Sequence, residues 1–330
     1  MPWQLPAVGL VAVPGRRRFT LDLAREIERR GYPAIFAPSR FANLSLCEAL
    51  AWTTETIVFG TAIAPIYART VDDFAQSAAF LHEVSGGRFR LGIGVSHAPS
   101  HRRMGVNPGR PLADIRDLVS KLRAYEGIGA QPPIIVAALR SKMVALAGEI
   151  ADGVVFANGS RSHMAASLAA LPPQQRAAEA FFIGNMIPTC VSDDLAAAQA
   201  VNRRTLTPYA RLPNYRNYWK EAGYVEEMTA IERAIAENRP EDIPKYLTDA
   251  WLADVSLFGP VERVRSGLEA WYAAGVRTPI IVPSSASGNQ VKAIEEMLPR
   301  SPADASREGQ CRSLKSGTDG PKRCNTLGHA

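Results

Sequence analysis

The chain has 330 residues, 46% of them hydrophobic and 21% charged, with a formal net charge of +6. That apolar share supports a large buried core and excludes a chain disordered throughout. No apolar run reaches the roughly 20 residues that a membrane-spanning helix needs, and no basic stripe with interleaved aromatics marks a nucleic-acid-binding face.

From Arg300 onward six Lys or Arg stand against three acids, so this short stretch supplies half of the net charge and the body is only mildly basic. The cluster Arg16-Arg17-Arg18 reads as a solvated loop. Cys47, Cys190, Cys311 and Cys324 form no C-x-x-C pair and have no His at ligand spacing, so no zinc site is expected. Cys47 and Cys190 lie in apolar segments and read as small core residues. The opening Met1-Pro2-Trp3-Gln4-Leu5 carries no basic region followed by an apolar one, which makes a cytoplasmic location the expectation.

Val8 to Val13 is a short apolar run closed by Pro14-Gly15, a strand and then a turn. Leu23, Ala24 and Ile27 share a helical face, with Gly31 at the C-terminal cap position. Ala34 to Ala37 is a second strand, stopped by Pro38, and Ile57 to Ile63 a third, rich in β-branched residues. Thr70 with Asp73 three residues on opens a helix in the manner of a capping box, and Phe74, Ala78 and Leu81 form its inward stripe.

Phe89 to Val95 is the fourth strand, Leu112 to Tyr125 a helix and Ile134 to Ala137 the fifth strand. Met143, Leu146, Ala147 and Ile150 recur at helical spacing before the sixth strand, Val154 to Phe156, and the seventh, Phe181 to Val191. Residues 195–250 are helix-rich without strand signal and read as an insertion before the eighth strand. Pro260 opens a helix faced by Val261, Val264, Leu268 and Trp271 and ended by Gly275. Pro279 to Val282 is the eighth strand and Val291 to Leu298 the closing helix.

Eight strands alternating with helices, and no hairpin signal, predict a parallel α/β sheet. It is either a closed (β/α)8 TIM barrel or an open doubly wound sheet, and the strand count favours the barrel, over residues 1–298. Residues 299–330 hold too little apolar surface to order themselves and are expected to form a disordered basic tail.

Working residues of such a barrel stand at the C-terminal ends of its strands. That selects Pro38 to Ala42, Pro65 to Arg69, Ser96 to His101, Arg140 to Lys142, Asn158 to Arg161 and Pro283 to Ser287. Gly92-Ile93-Gly94 lacks the third glycine and distal acid of a dinucleotide fingerprint. Its small residues serve either close strand packing or the approach of a flat ring.

His97 follows, an imidazole able to exchange a proton near neutral pH. Pro99 argues against a helix starting behind it. His101, beside Arg102-Arg103, reads as solvent-facing. Arg69 holds either an anion or Asp72 or Asp73. Ser160-Arg161 before a helix makes either a phosphate cradle or an ordinary N-cap.

The segment Ser85-Gly86-Gly87-Arg88-Phe89-Arg90-Leu91-Gly92-Ile93-Gly94 resembles the S-G-G-R-F-x-L-G-x-G signature of the luciferase-like (LLM class) flavin-dependent oxidoreductase superfamily. Gly109-Arg110-Pro111-Leu112 and Ala147-Gly148-Glu149-Ile150-Ala151-Asp152-Gly153 match two further segments of it. Gly60-Thr61-Ala62-Ile63, Tyr67-Ala68-Arg69, Val95-Ser96-His97-Ala98-Pro99 and Leu212-Pro213-Asn214-Tyr215 look like its branch of F420-dependent oxidoreductases. The resemblance runs from Val8 to Val282.

It implies a deazaflavin, coenzyme F420, lying across the C-terminal mouth, with its ring on the third strand near Ala62-Ile63, where relatives have a non-prolyl cis peptide. The implied cofactor contacts are Ala62, Ile63, Gly94, Ser96, His97, Ala138, Ser141, Ser160 and Arg161, the last pair near the cofactor phosphate. His97 falls where relatives carry a catalytic acid, and Arg40, Tyr67 and Tyr215 fall on the substrate side. A homodimer acting on a small organic molecule is the implied assembly.

Two departures stand out: Ser39-Arg40 where F420-using relatives often have an acid, and Arg140-Ser141-Lys142 where they commonly have Gly-Pro-Lys. The expected function is hydride transfer with F420. An FMN-dependent monooxygenase and a non-catalytic flavin-binding protein are the alternatives. Tyr215, Tyr218 and Trp219 either lid the pocket or form the insertion's core.

Overall fold

A computed structural model describes residues 4–40, 42–288 and 290–297. The strands are β1 (Ala7–Gly9), β2 (Ala34–Ala37), β3 (Val58–Thr61), β4 (Ala64–Pro65), β5 (Phe89–Gly94), β6 (Ile134–Ala137), β7 (Gly153–Ala157), β8 (Phe182–Val191), β9 (Leu257–Gly259) and β10 (Thr278–Ser284). Every pairing is parallel, in the order β10-β1-β2-β3-β5-β6-β7-β8, and β10 bonds to both β1 and β8. That second pairing closes the ring, so the sheet is the (β/α)8 barrel and not the open alternative. Among the described residues no helix is long and apolar enough to cross a membrane.

Departures from the expected elements have local causes. The first strand pairs only over Ala7–Gly9, because Val13 and Arg16 turn their amides back onto the carbonyls of Val11 and Val13. The third strand is broken into β3 and β4. Gly60 pairs with Arg90 and Ala64 with Ile93, so one extra residue on this side makes a bulge. The bulge holds a cis Ala62-Ile63 peptide.

Strand β9, unforeseen, adds three residues to the end of β8 through Thr189, Cys190 and Val191. The helices Asn43–Thr53, Ala98–Met104 and Pro173–Ala177 were also unforeseen, whereas the helix expected after Ser160-Arg161 is the short Met164–Leu168. Pro99 does not prevent a helix there: it occupies the first turn, where no amide hydrogen is required. The closing helix runs Gln290–Met297. Leu298 and the tail at 299–330 lie outside the described residues.

The signature segment acts first as a tie. The Arg88 guanidinium donates to the carbonyls of Ser85, Ala51, Thr54 and Ile57 and to the Thr54 hydroxyl, at 2.8–3.2 Å. It also stands 5.2 Å from the Phe59 ring centroid. Gly92 answers a close approach: a Cβ there would lie 1.8 Å from the Thr61 carbonyl oxygen. The Thr61 hydroxyl donates to the Gly92 carbonyl at 2.6 Å and accepts from its amide at 3.0 Å, replacing ladder bonds lost at the bulge.

Inside the barrel, Ala34, Phe36, Ile135, Val155, Met186 and Ile280 form a core. Between β8 and β9 the helices Leu195–Ala210, Pro213–Glu221, Val225–Ala236 and Asp249–Val255 build a second. Its centre is Tyr218, Trp219 and Trp251, all fully buried, with the indoles edge-on at 4.8 Å. Cys47 and Cys190 are free and buried.

Candidate active site

At the C-terminal ends of the strands the barrel core surfaces as a floor of uncharged side chains. Ile63, Ala137, Ala157 and Val282, from the bulge, β6, β7 and β10, are each partly exposed and packed on the core below. Ala62 beneath them is buried. Gly94 keeps the floor low: a Cβ there would come within 2.9 Å of the Ala137 side chain and 3.1 Å of Ile63. The Asn43 side-chain amide donates to the Ile63 carbonyl at 3.0 Å and fixes the bulge from the next strand end.

Three non-glycine residues with positive φ rim this floor: Ala42 after β2, Ser96 after β5 and Asn158 after β7. Such conformations persist only where the surroundings over-determine them, and they cluster at working sites.

His97 stands three residues beyond Gly94 and caps the helix Ala98–Met104. Its imidazole is half-buried, edge-on to Tyr215 at 5.5 Å and Tyr209 at 6.3 Å. The two tyrosine rings meet at 5.1 Å, and Tyr215 meets Trp219 at 5.3 Å. Loss of solvation, aided by the nearby His101 charge, lowers the His97 pKa below the ordinary imidazole value. Burial raises the pKa of both tyrosines, so their hydroxyls stay protonated. The alternatives for the insertion aromatics therefore divide by residue: Tyr218 and Trp219 are core, while Tyr215 reaches the imidazole.

His101 is not solvent-facing. Its Nε2 bonds the Val95 carbonyl at 2.6 Å, bracing the end of β5. Tyr67 packs edge-on against His101 and donates its hydroxyl to Asp114 at 2.6 Å. Arg69 pairs with Asp73 at 2.7 Å and is a structural cation. Arg40 is exposed at the rim and its charge reaches Tyr209.

The loop after β7 is tied inward. The amides of Gly159, Ser160, Arg161 and Ser162 donate to the Asn185 side chain, the Tyr218 hydroxyl, the Asp254 carbonyl and the Asp254 carboxylate, at 2.8–3.3 Å. The following helix begins only at Met164 and has five residues. A phosphate cradle of main-chain amides is thus not what this loop offers, because internal acceptors already fill it. What remains is the Ser160 hydroxyl, buried without a hydrogen-bond partner, and the half-buried Arg161. The Asn158 amide lies beside the Tyr209 and Tyr215 hydroxyls.

After β6, Ala138 is buried and Ser141 exposed, and Arg140 is held by Glu221 at 2.6 Å, a bond from the rim to the helical segment. Sequence reasoning missed Asn43, Tyr209 and Asp254. Asn43 follows a strand-end segment closely enough to have been found, whereas nothing near Asp254 signals its role.

A family model described as luciferase-like monooxygenase matches residues 6–278. The chain belongs to the luciferase-like monooxygenase family. Among luciferase-like relatives, Rv3520c of Mycobacterium tuberculosis, named provisionally as a coenzyme F420-dependent oxidoreductase, is 26% identical over 80% of this chain and 90% of its own length. The coenzyme F420-dependent tetrahydromethanopterin reductase of Methanopyrus kandleri superposes with a TM-score of 0.71 at 17% identity, covering 90% of this chain and 97% of that one. A type II Baeyer-Villiger monooxygenase of Pseudomonas putida in complex with FMN gives a TM-score of 0.58 at 15% identity, covering 89% and 96%. The luciferase-like fold thus carries both cofactors among its neighbours.

Proposed function

We propose that this protein is a cytoplasmic oxidoreductase that moves a hydride between coenzyme F420 and a small organic substrate at the barrel mouth. The observation that carries the reading is the half-buried His97 imidazole, its pKa lowered, three residues beyond Gly94 of an apolar floor.

The residues fit a flat, hydrogen-bonding ring system. Ile63, Ala137, Ala157 and Val282 offer it an apolar face, Gly94 keeps that face open, and the Ser160 hydroxyl is an unpartnered polar group for its edge or chain. F420, when bound, supplies a two-electron carrier whose C5 gives or takes a hydride. Ser96 and Ala138 would flank the bound cofactor and Ala62 would support the floor beneath it, with Ser141 and Arg161 as the groups that would hold its phosphate.

A ring nitrogen of His97 then delivers or removes the proton that accompanies the hydride. The lowered pKa keeps the imidazole a competent base at neutral pH. Tyr209, Tyr215 and Trp219 exclude water from that proton transfer, while Arg40 and Tyr67 line the substrate side.

A second copy of the chain is the proposed partner. Trp52 and Phe80, 72% and 54% exposed, stand on the neighbouring helices Asn43–Thr53 and Val71–Val84 and give an apolar surface for it.

The test is titration of the purified chain with F420 and with FMN, followed by turnover against alcohols, enones and imines. Saturable F420 binding with F420-coupled turnover is expected. Binding of FMN alone, with oxygen consumption, would replace this reading with the monooxygenase one, and cofactor binding without turnover would replace it with a non-catalytic one.

A further inference from the structure

We infer that a cleft between the helices that follow His97 and carry Tyr209 binds an amphipathic anion: an apolar body ending in a carboxylate or phosphate. The inference goes beyond the proposed active site, none of whose residues lines this cleft. The cleft has a volume of about 900 Å³ and lies between the helices Ala98–Met104, Leu195–Ala210 and Pro213–Glu221. That is the range of small-molecule sites. Its walls are apolar, from Ala98, Pro99, Ala200, Pro208, Leu212 and Pro213.

Four arginines line the same space: Arg102, Arg203, Arg204 and Arg211. Arg203 is committed, pairing with Asp249 and donating to the Leu247 carbonyl at 3.0 Å. Arg102, Arg204 and Arg211 have no carboxylate partner among the described residues. Some surface arginines elsewhere are paired, as Arg25 with Asp22, Arg116 with Glu149 and Arg140 with Glu221; what sets this cleft apart is that three without a carboxylate partner line one space.

Three guanidiniums without a carboxylate partner around one apolar cleft give it a positive local potential that favours a bound anion. Arginine is also the side chain whose planar fork matches carboxylate and phosphate. A neutral ligand would leave those charges uncompensated, and a purely ionic one would leave the apolar wall wet.

The cleft is built from the elements that carry the imidazole cluster. Ala98 follows His97 directly, and Tyr209, which meets His97, lies between the lining residues Pro208 and Arg211. The cleft and the imidazole cluster therefore lie on different faces of the same helices, since neither His97 nor Tyr209 lines the cleft. A second cleft, of about 590 Å³ at the opposite end of the barrel, has none of this. Its Arg277 already donates to the carbonyls of Arg176, Ala178 and Phe181.

The experiment is isothermal titration of the full chain with octanoate, octyl phosphate, 1-octanol and octylammonium. The two anions should bind saturably at one site, about tenfold or more tighter than octanol, with affinity falling as salt rises. Octylammonium should not bind. Arg204→Gln/Arg211→Gln, and separately Arg102→Gln on another element, should weaken octanoate by about tenfold or more with the melting curve unchanged.

Equal binding of octanol and octanoate, or full octanoate affinity in both variants, overturns the inference. So does failure of both anions to bind. The phosphate and glutamate chain of F420 is a rival anion, so the variants are also titrated with F420 and with its chain-free deazaflavin. A loss confined to the chain-bearing form, with octanoate unaffected, assigns the cleft to the cofactor and overturns the inference. An absence of F420 binding to the parent chain sinks the proposed function and leaves the octanoate result standing on its own.

Discussion

Replacing Arg88 separates the structural from the catalytic meaning of the signature segment. Its guanidinium makes five hydrogen bonds, and four of the acceptors are main-chain carbonyls at the ends of two outer helices and in the turn leading to β3. Two of them, Ala51 and Thr54, belong to the C-terminal end of the helix Asn43–Thr53, where a cation also meets the helix dipole. Arg88→Met keeps most of the stem and removes every donor. A net value near 1 kcal/mol per bond, with burial of the stranded carbonyls partly offset by water, gives a loss of about 4–5 kcal/mol. Arg88→Lys retains the charge but replaces at most three donors, for a loss of about 2 kcal/mol.

The assay is equilibrium urea unfolding, read as a shift of midpoint at constant slope. The reasoning fails if Arg88→Met stays within about 1 kcal/mol of the parent. It fails equally if the variant keeps its stability but loses cofactor binding, since that would make Arg88 part of the site.

His97→Gln should lower kcat by about 10²–10⁴ with a smaller change in KM, measured by steady-state kinetics with F420. The imidazole should titrate below 6.5 by NMR. Because the unfolded chain then binds more protons than the folded one, stability should fall as pH drops through 6.5 toward the folded pKa and stay lost below it. His82, whose pKa is lowered by burial and by Arg90, acts in the same direction, so His97→Gln should reduce the slope without abolishing it. Gly92→Ala should cost about 3 kcal/mol or prevent folding, checked by thermal melting, because its Cβ has no space beside the Thr61 carbonyl. Asp254→Ala should accelerate hydrogen exchange at Ser162 more than at Arg161, whose acceptor is the retained main-chain carbonyl, and cost about 2–3 kcal/mol, because the Ser162 amide and hydroxyl lose their acceptor.

The barrel was legible because its staves are short β-branched runs with turn residues between them, and Thr70 capped its helix as the spacing predicted, accepting from Asp73 at 3.2 Å. β9 was not, since three residues carry no period. The helix behind His97 was misread because proline was taken as a breaker where its position makes it a starter. At the site, His97 and Tyr215 were foreseen as separate candidates, and the coordinates bring their rings together. The fate of Ser160-Arg161 was not legible. Its amides are claimed by Tyr218 and Asp254, which stand 58 and more than 90 residues further along the chain. No local pattern encodes a partner at that distance.

That long-range capture has a mechanical consequence. With its amides fastened to β8, to Tyr218 and to Asp254, the loop after β7 is obliged to travel with the helices between β8 and β9. A guest arriving at this sector of the rim meets a main chain that cannot reshape itself, and only projecting groups such as Arg161 can adjust. Exchanging that one side chain should therefore retune which guest is accepted while the course of the polypeptide stays where it is.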